Sequence, residues 1–350
     1  MLLKPAKMQH ALLFLFLLSV IAKIPFAHAA SCTTQSQMTP AQRNTLAETA
    51  RAALADVQSG NVQALRQITL PSVAADSNGM MNSVQHLLPL VRAASITVDE
   101  LYLLDASKNP AGAPRADFYC GSPVVTFNIP NLPPGIYAIA ILHATGVPQP
   151  QQVSLILSGT PDGRWLLAGL FNKPMTAAGH DGLWYWVSAR NHAQAKQDWD
   201  AWLYYGLAGN LLDPLDFLSS PNLEKMQHEA DSIRPGDLPG STPMALPTPA
   251  GTFAVTIVGT TTAFEKLDLD VHYAPDRTQA AQLSDPLLAR TQVTRVMSAL
   301  VMAHPELIGA FHGIWVHAEQ GTGSLFALEL PMDQIAASQS PAVNSNPAAR

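Results

Sequence analysis

The sequence predicts an α+β protein: N-terminal helices, a curved antiparallel sheet with a helical extension, a proline-rich linker and a small ββαββ domain. Three observations predict it. The apolar spacing is helical up to about residue 92 and then turns to strand-like runs. Pro235, Pro239, Pro243, Pro247 and Pro249 crowd residues 233–251. Beyond them, two strand-like runs precede a long helical pattern and two follow it.

The first helix is the best marked. Thr39 can cap it, Pro40 suits the first helical position, and Gln42 completes a T-x-x-Q capping box. Leu46, Ala50, Ala53, Leu54 and Val57 fall on one face, and Ser59-Gly60 stops the helix. A short helix over 61–69 carries Leu65 and Ile68 inward, and another near 80–92 carries Met81, Val84, Leu88 and Val91. Strands are expected at 97–104, 118–128, 136–145, 151–158 and 164–171, with the turn Gly159-Thr160-Pro161-Asp162-Gly163 before the last. Trp184, Tyr185 and Trp186 read as a strand, and Ser188 to Leu212 as one helix with Trp199, Trp202, Leu203 and Leu207 on one face. A further helix starts near Pro221.

The short helices, the antiparallel strands and the closing "DGRWLLAGLF" at 162–171 resemble the cone-shaped nuclear-transport-factor-like fold, including its SnoaL-like branch. The resemblance covers residues 40–172. It implies a fold that can form a cavity, and no single function, since that family holds enzymes, ligand binders and scaffolds.

The prolines of 233–251 are expected to exclude regular helix or sheet and to favour an extended, semi-rigid spacer. After it, strands are expected at 252–258 and 266–273, a helix over 286–303 opening on Pro286, and strands at 312–319 and 324–330. The resulting plan is a signal peptide at 1–29, an α+β domain at 39–232, a linker at 233–251, a small α+β domain at 252–335 and a disordered tail at 336–350.

Compartment comes from the first thirty residues. Lys4 and Lys7 precede an apolar run over 11–22, Pro25 ends it, and Ala27-His28-Ala29 is a small-x-small cleavage site. The run is shorter than the ~20 residues of a membrane span. An exported, periplasmic or secreted protein is expected, with a mature chain from Ala30 and no transmembrane segment. The formal net charge is −6, and loss of Lys4, Lys7 and Lys23 takes it to about −9. Such a chain has no electrostatic attraction to phosphate backbones, so nucleic acid is excluded as a partner. The two cysteines, Cys32 and Cys120, suit one disulfide in an oxidising compartment. The alternative for Cys32 is a lipid anchor, since Ala29-Ala30-Ser31-Cys32 loosely resembles a lipobox.

Three sets of residues suggest chemistry. In Asp268-x-Asp270-x-His272, alternate residues share one face of a strand, and His317 and Glu319 do the same on another. Were those strands neighbours, carboxylates and imidazoles would converge as a cation site; otherwise they are the water-facing side of a sheet. Tyr137, Ile139, Ile141 and His143 share a face, where His143 would act as acid or base with Asp117 or Tyr119. Trp184, Trp186, Trp199 and Trp202 would grip a ligand if exposed, and are packing if buried. No G-x-S-x-G, Walker, G-x-G-x-x-G, H-E-x-x-H or C-x-x-C motif occurs, and no cofactor is predicted. The expectation is a non-catalytic binding or assembly protein of the cell envelope, its partner a small molecule or an envelope protein. The alternatives are a cavity-based hydrolase or isomerase in the first domain and a metal-binding module in the second.

Overall fold

The computed structural model describes residues 30–121, 124–321 and 323–339. The expected signal peptide lies outside the described residues.

The chain is α+β. After strand β1 (Ser31–Thr34) come helices α1 (Pro40–Ser59), α2 (Val62–Gln67), α3 (Pro71–Ala74) and α4 (Ser77–Val91). The predicted cap forms: Thr39 Oγ1 accepts from the Gln42 amide, Gln42 reaches back, and Gly60 closes α1 in the left-handed region at φ 69°. On α4 the inward face is Met80, Val84, Leu87 and Val91, one residue off the expected Met81 and Leu88 at two points; Met81 is exposed.

Strands β2 (Ser95–Asp105), β5 (Ile136–Thr145), β6 (Gln151–Gly159) and β7 (Trp165–Pro174) join β1 in an antiparallel sheet of order β1-β2-β5-β6-β7. Ala138, Ala140, Leu142 and Ala144 of β5 meet the helices, burying one core with Leu46, Leu54 and Leu87. The other face of β5 packs on a second sheet. Residues 118–128, expected as one strand, are instead β3 (Arg115–Cys120) and β4 (Val125–Pro130), turning at Gly121 with φ 65°. Phe118, Phe127 and Ile129 bury against Tyr137, Ile139 and Ile141. A Cys32–Cys120 disulfide joins the two sheets. Cys32 therefore has no thiol to offer a lipid anchor.

Two short strands, β8 (Thr176–Ala177) and β9 (His180–Asp181), lead into α5 (Gly182–Gln194). Trp184–Trp186, expected as a strand, are helical because Asp181 caps the segment, accepting from the Trp184 amide at 2.8 Å. The single helix expected over 188–212 is broken before α6 (Asp198–Leu212), where Lys196 takes φ 61°. Strand β10 (Leu218–Ser219) adds to β4, and α7 (Pro221–Ile233) follows.

The proline-rich segment is not wholly irregular. Met244–Thr248 forms β11, paired with β12 (Gly251–Thr261). β11 is the edge of its sheet, where a proline such as Pro247 can sit with its missing N–H facing outward. Then come β13 (Asp268–Ala274), α8 (Arg277–Gln282), α9 (Pro286–Ala303), α10 (Leu307–Ala310), β14 (Gly313–Gln320), β15 (Gly323–Pro331) and α11 (Met332–Gln339). Residues 336–339, expected in the disordered tail, belong to α11, whose Ile335 is buried; residues 340–350 lie outside the described residues.

The second large sheet has order β11-β12-β13-β14-β15, with β13 and β14 parallel. Val293, Val296, Met297 and Leu300 of α9 cover one face, against Leu269, Val271, Tyr273, Ile314, Val316 and Ala318. Buried Gln292 donates to the Tyr273 hydroxyl at 2.7 Å, a directional tie between helix and sheet. Helices α5–α7 contribute Tyr185, Trp199, Tyr204 and Met226 to this same core. No helix among the described residues is long and apolar enough to cross a membrane.

Candidate metal centre

Strand β13 reads Asp-Leu-Asp-Val-His-Tyr-Ala. Its apolar members Leu269, Val271 and Tyr273 are drawn under α9, so strand alternation turns Asp268, Asp270 and His272 to the other face. The partner strand β14 obeys the same rule: Ile314, Val316 and Ala318 are buried and His317 and Glu319 take the open side. The parallel register sets His272 opposite His317. Their rings stack with centroids 4.6 Å apart and 17° between planes.

Asp270 completes the group. Its Oδ1 lies 3.2 Å from His272 Nε2 and 3.2 Å from His317 Nε2. That oxygen is sealed from solvent and makes no hydrogen bond. Two ligands at 2.0–2.2 Å from a tetrahedral zinc ion stand about 3.3 Å apart, so these separations match the edges of a zinc coordination shell. The second ring nitrogen of His272, Nδ1, lies 2.9 Å from Glu319 Oε1, a charge contact outside hydrogen-bond geometry. A shift of this pair into hydrogen-bond geometry would place the proton on Nδ1 and leave Nε2 as a lone-pair donor. Asp270, His272 and His317 thus offer one oxygen and two nitrogens, with Glu319 behind as an orienting group.

The five residues singled out in the sequence do not all meet. Asp268 points away from this group, its Oδ1 3.0 Å from Nδ1 of His312. Glu319 touches His272 but is not among the three converging donors. His312, just before β14, and Glu329, on β15, were not singled out at all. Strand alternation places Glu329 on the open face, since it pairs with Trp315, but only the sheet order tells which strand it borders.

The other candidates are separated by their partners. His143 Nε2 faces Asp99 at 3.7 Å, on the neighbouring strand β2. Asp117 is held by Arg115 at 2.7 Å in the second sheet. The Tyr137 hydroxyl donates to the Pro133 carbonyl, and burial raises its pKa. Tyr119 is 61% exposed and turned from the core. The face expected to line a cavity is instead filled by Phe118, Phe127 and Ile129.

Each of the four tryptophans has a structural partner; for Trp202 it is the Arg234 guanidinium, 5.7 Å from the ring centroid. Trp199 is buried, donates to Asp237 at 2.9 Å and stacks on His304. Trp186 donates to Glu229, whose carboxyl is held down to about 2, first by hydrogen bonds from Arg190 and then by those from Trp186 and Tyr205. Trp184 is partly exposed and stacks on His180 at 3.7 Å. Trp202 borders a cleft of about 560 Å³ between α6 and α7.

No family model matches the chain, and no curated protein and no solved structure was found to match it. The expected resemblance of residues 40–172 to the cone-shaped family finds no support in these comparisons.

Proposed function

We propose that this is an exported binding protein whose C-terminal sheet holds a divalent transition-metal ion on Asp270, His272 and His317. The observation that carries the reading is the convergence of three donor atoms within 4.8 Å of one another around a buried, unbonded carboxylate oxygen. Two imidazoles and one carboxylate suit Zn²⁺ and its neighbours. Ca²⁺ asks for six to eight oxygens and finds too few here. The donors stand on paired central strands braced by α9, which pre-organises them and lowers the cost of binding. A binding role is favoured over a catalytic one because His143, Tyr137 and Asp117 each engage a different neighbour. Export is supported by the lysine, apolar-run and small-residue order of residues 4–29 and by the single disulfide that uses both cysteines.

The test is thermal unfolding of the chelator-treated protein with added metal. At free Zn²⁺ one hundredfold above its Kd, the native state gains about 2.7 kcal/mol and the melting temperature rises accordingly. Ca²⁺ at the same concentration leaves it unchanged. The variant H272A/H317A loses the part of the Zn²⁺ response that this site supplies. An unchanged melting temperature with Zn²⁺, or an undiminished response in the double variant, sinks the proposal.

A further inference from the structure

On the same open face, next to the first group of donors, a second group closes around Gly313. Asp268 begins β13 and is 2% exposed. Its Oδ1 lies 3.0 Å from Nδ1 of His312. Glu329, from the opposite neighbour β15, brings Oε1 to the same place; that oxygen is sealed from solvent and has no hydrogen-bond partner. Gly313 shows how closely they converge. A Cβ built there would stand 2.6 Å from Glu329 Oε1 and 3.0 Å from Asp268 Oδ1. The space that a side chain would fill is bounded by these two carboxylate oxygens and by the Leu330 backbone carbonyl oxygen, 2.8 Å from the same point. The Asp268, His312 and Glu329 donors lie within 4.8 Å of one another.

Two carboxylates so close repel when both are ionised, and burial adds to the cost. Burial first, then the charge of Asp268, raises the Glu329 pKa, while His312 lowers it. A cation between the oxygens removes the repulsion and satisfies the orphaned Oε1. A proton shared by the pair is the competing solution.

We infer that Asp268, His312 and Glu329 form a second divalent-cation site, separate from the Asp270–His272–His317 group and richer in oxygen. Two carboxylates and one imidazole suit Mn²⁺ as well as Zn²⁺. Asp268 and Asp270 are alternate residues of one strand, so two bound ions would lie side by side on one sheet face. The second site uses none of the donors of the first, so each stands or falls alone.

The experiment is the count of Zn²⁺ per full-length chain after equilibrium dialysis and metal analysis, with Mn²⁺ titrated separately by the loss of its free electron-resonance signal. Wild type is expected to hold two Zn²⁺, E329Q one, H272A/H317A one, and the triple variant none. H272A/H317A should still take up one Mn²⁺. Glu329 is only partly buried on β15, so E329Q removes a charge without emptying the core; its far-ultraviolet circular dichroism and melting temperature establish that it is folded. Two Zn²⁺ retained by folded E329Q overturn the second site, and so does a single wild-type ion that H272A/H317A removes, which leaves the first site standing. A single wild-type ion that E329Q removes, with H272A/H317A unaffected, supports the second site and overturns the first. No ion in wild type overturns both.

Discussion

Replacing both Cys32 and Cys120 by Ala is expected to lower the unfolding free energy by about 4–5 kcal/mol, the chain-entropy value for a loop of this size. The crosslink spans 88 residues of sequence and ties β1, in the five-stranded sheet, to β3, in the smaller one. The unfolded chain therefore loses much freedom while the bond is intact. Cys120 is buried beside Phe118 and Phe127, so the paired Ala change also leaves a small cavity. Urea unfolding of wild type, wild type with reductant, and C32A/C120A measures the effect. The midpoint should fall in both reduced and mutated protein. The slope should rise, because an uncrosslinked chain exposes more surface on unfolding. A loss below about 1 kcal/mol would mean that the sandwich core alone fixes the two sheets, against the loop-entropy account.

Asp200→Asn is expected to stabilise the protein increasingly as pH rises. Asp200 is 0% exposed, on α6, and neither carboxylate oxygen has a hydrogen-bond partner. Burial, then the charge of Glu306, pushes its pKa up to about 7. The facing groups are His192, with Nδ1 3.5 Å from Oδ2, Tyr204, whose hydroxyl feels the Asp200 charge, and Glu306, which lies 3.6 Å from His304. In an unfolded chain an Asp titrates near 3.9. Between those values the native state holds a proton that the unfolded state has released. The stability contribution is thus full below about pH 4 and is lost as pH rises through about 7. The whole loss is on the order of 4 kcal/mol, of which about 2–3 kcal/mol falls between pH 5 and pH 8. Asn keeps the shape and removes the titration. Urea unfolding at the two pH values should show the Asn variant gaining on wild type by about that amount. H192Q in both backgrounds separates the share of the imidazole. A pH-independent difference would mean that Asp200 stays ionised in the fold.

Much of this molecule was legible along the chain wherever the signal was local. The capping box at Thr39–Gln42, the turn at 159–163 and the alternation of 268–273 depend on residues within a few positions of one another, and each formed as read. Asp268, Asp270 and His272 on one strand, and His317 and Glu319 on another, were readable as one-faced for the same reason, whereas His312 and Glu329 were not. The failures cluster where a local signal was weak or ambiguous. Trp184–Trp186 carry high strand preference, yet one cap at Asp181 and the burial of Tyr185 against Tyr204 make them helical. Pro247 argued against a strand, but an edge strand needs no outward N–H.

The sequence by itself determined the α+β class, the positions of most elements, the cysteine pair and the faces on which the polar residues lie. Tertiary structure decided the rest. That β13 and β14 are parallel neighbours, although α8, α9 and α10 intervene, is set by burying α9 against both strands at once. That pairing brings His272 beside His317, and the addition of β15 brings Glu329 over Gly313. Spacing along one chain fixes the face of a residue within its strand. Which strand lies alongside depends on where the apolar surface of the whole molecule is buried.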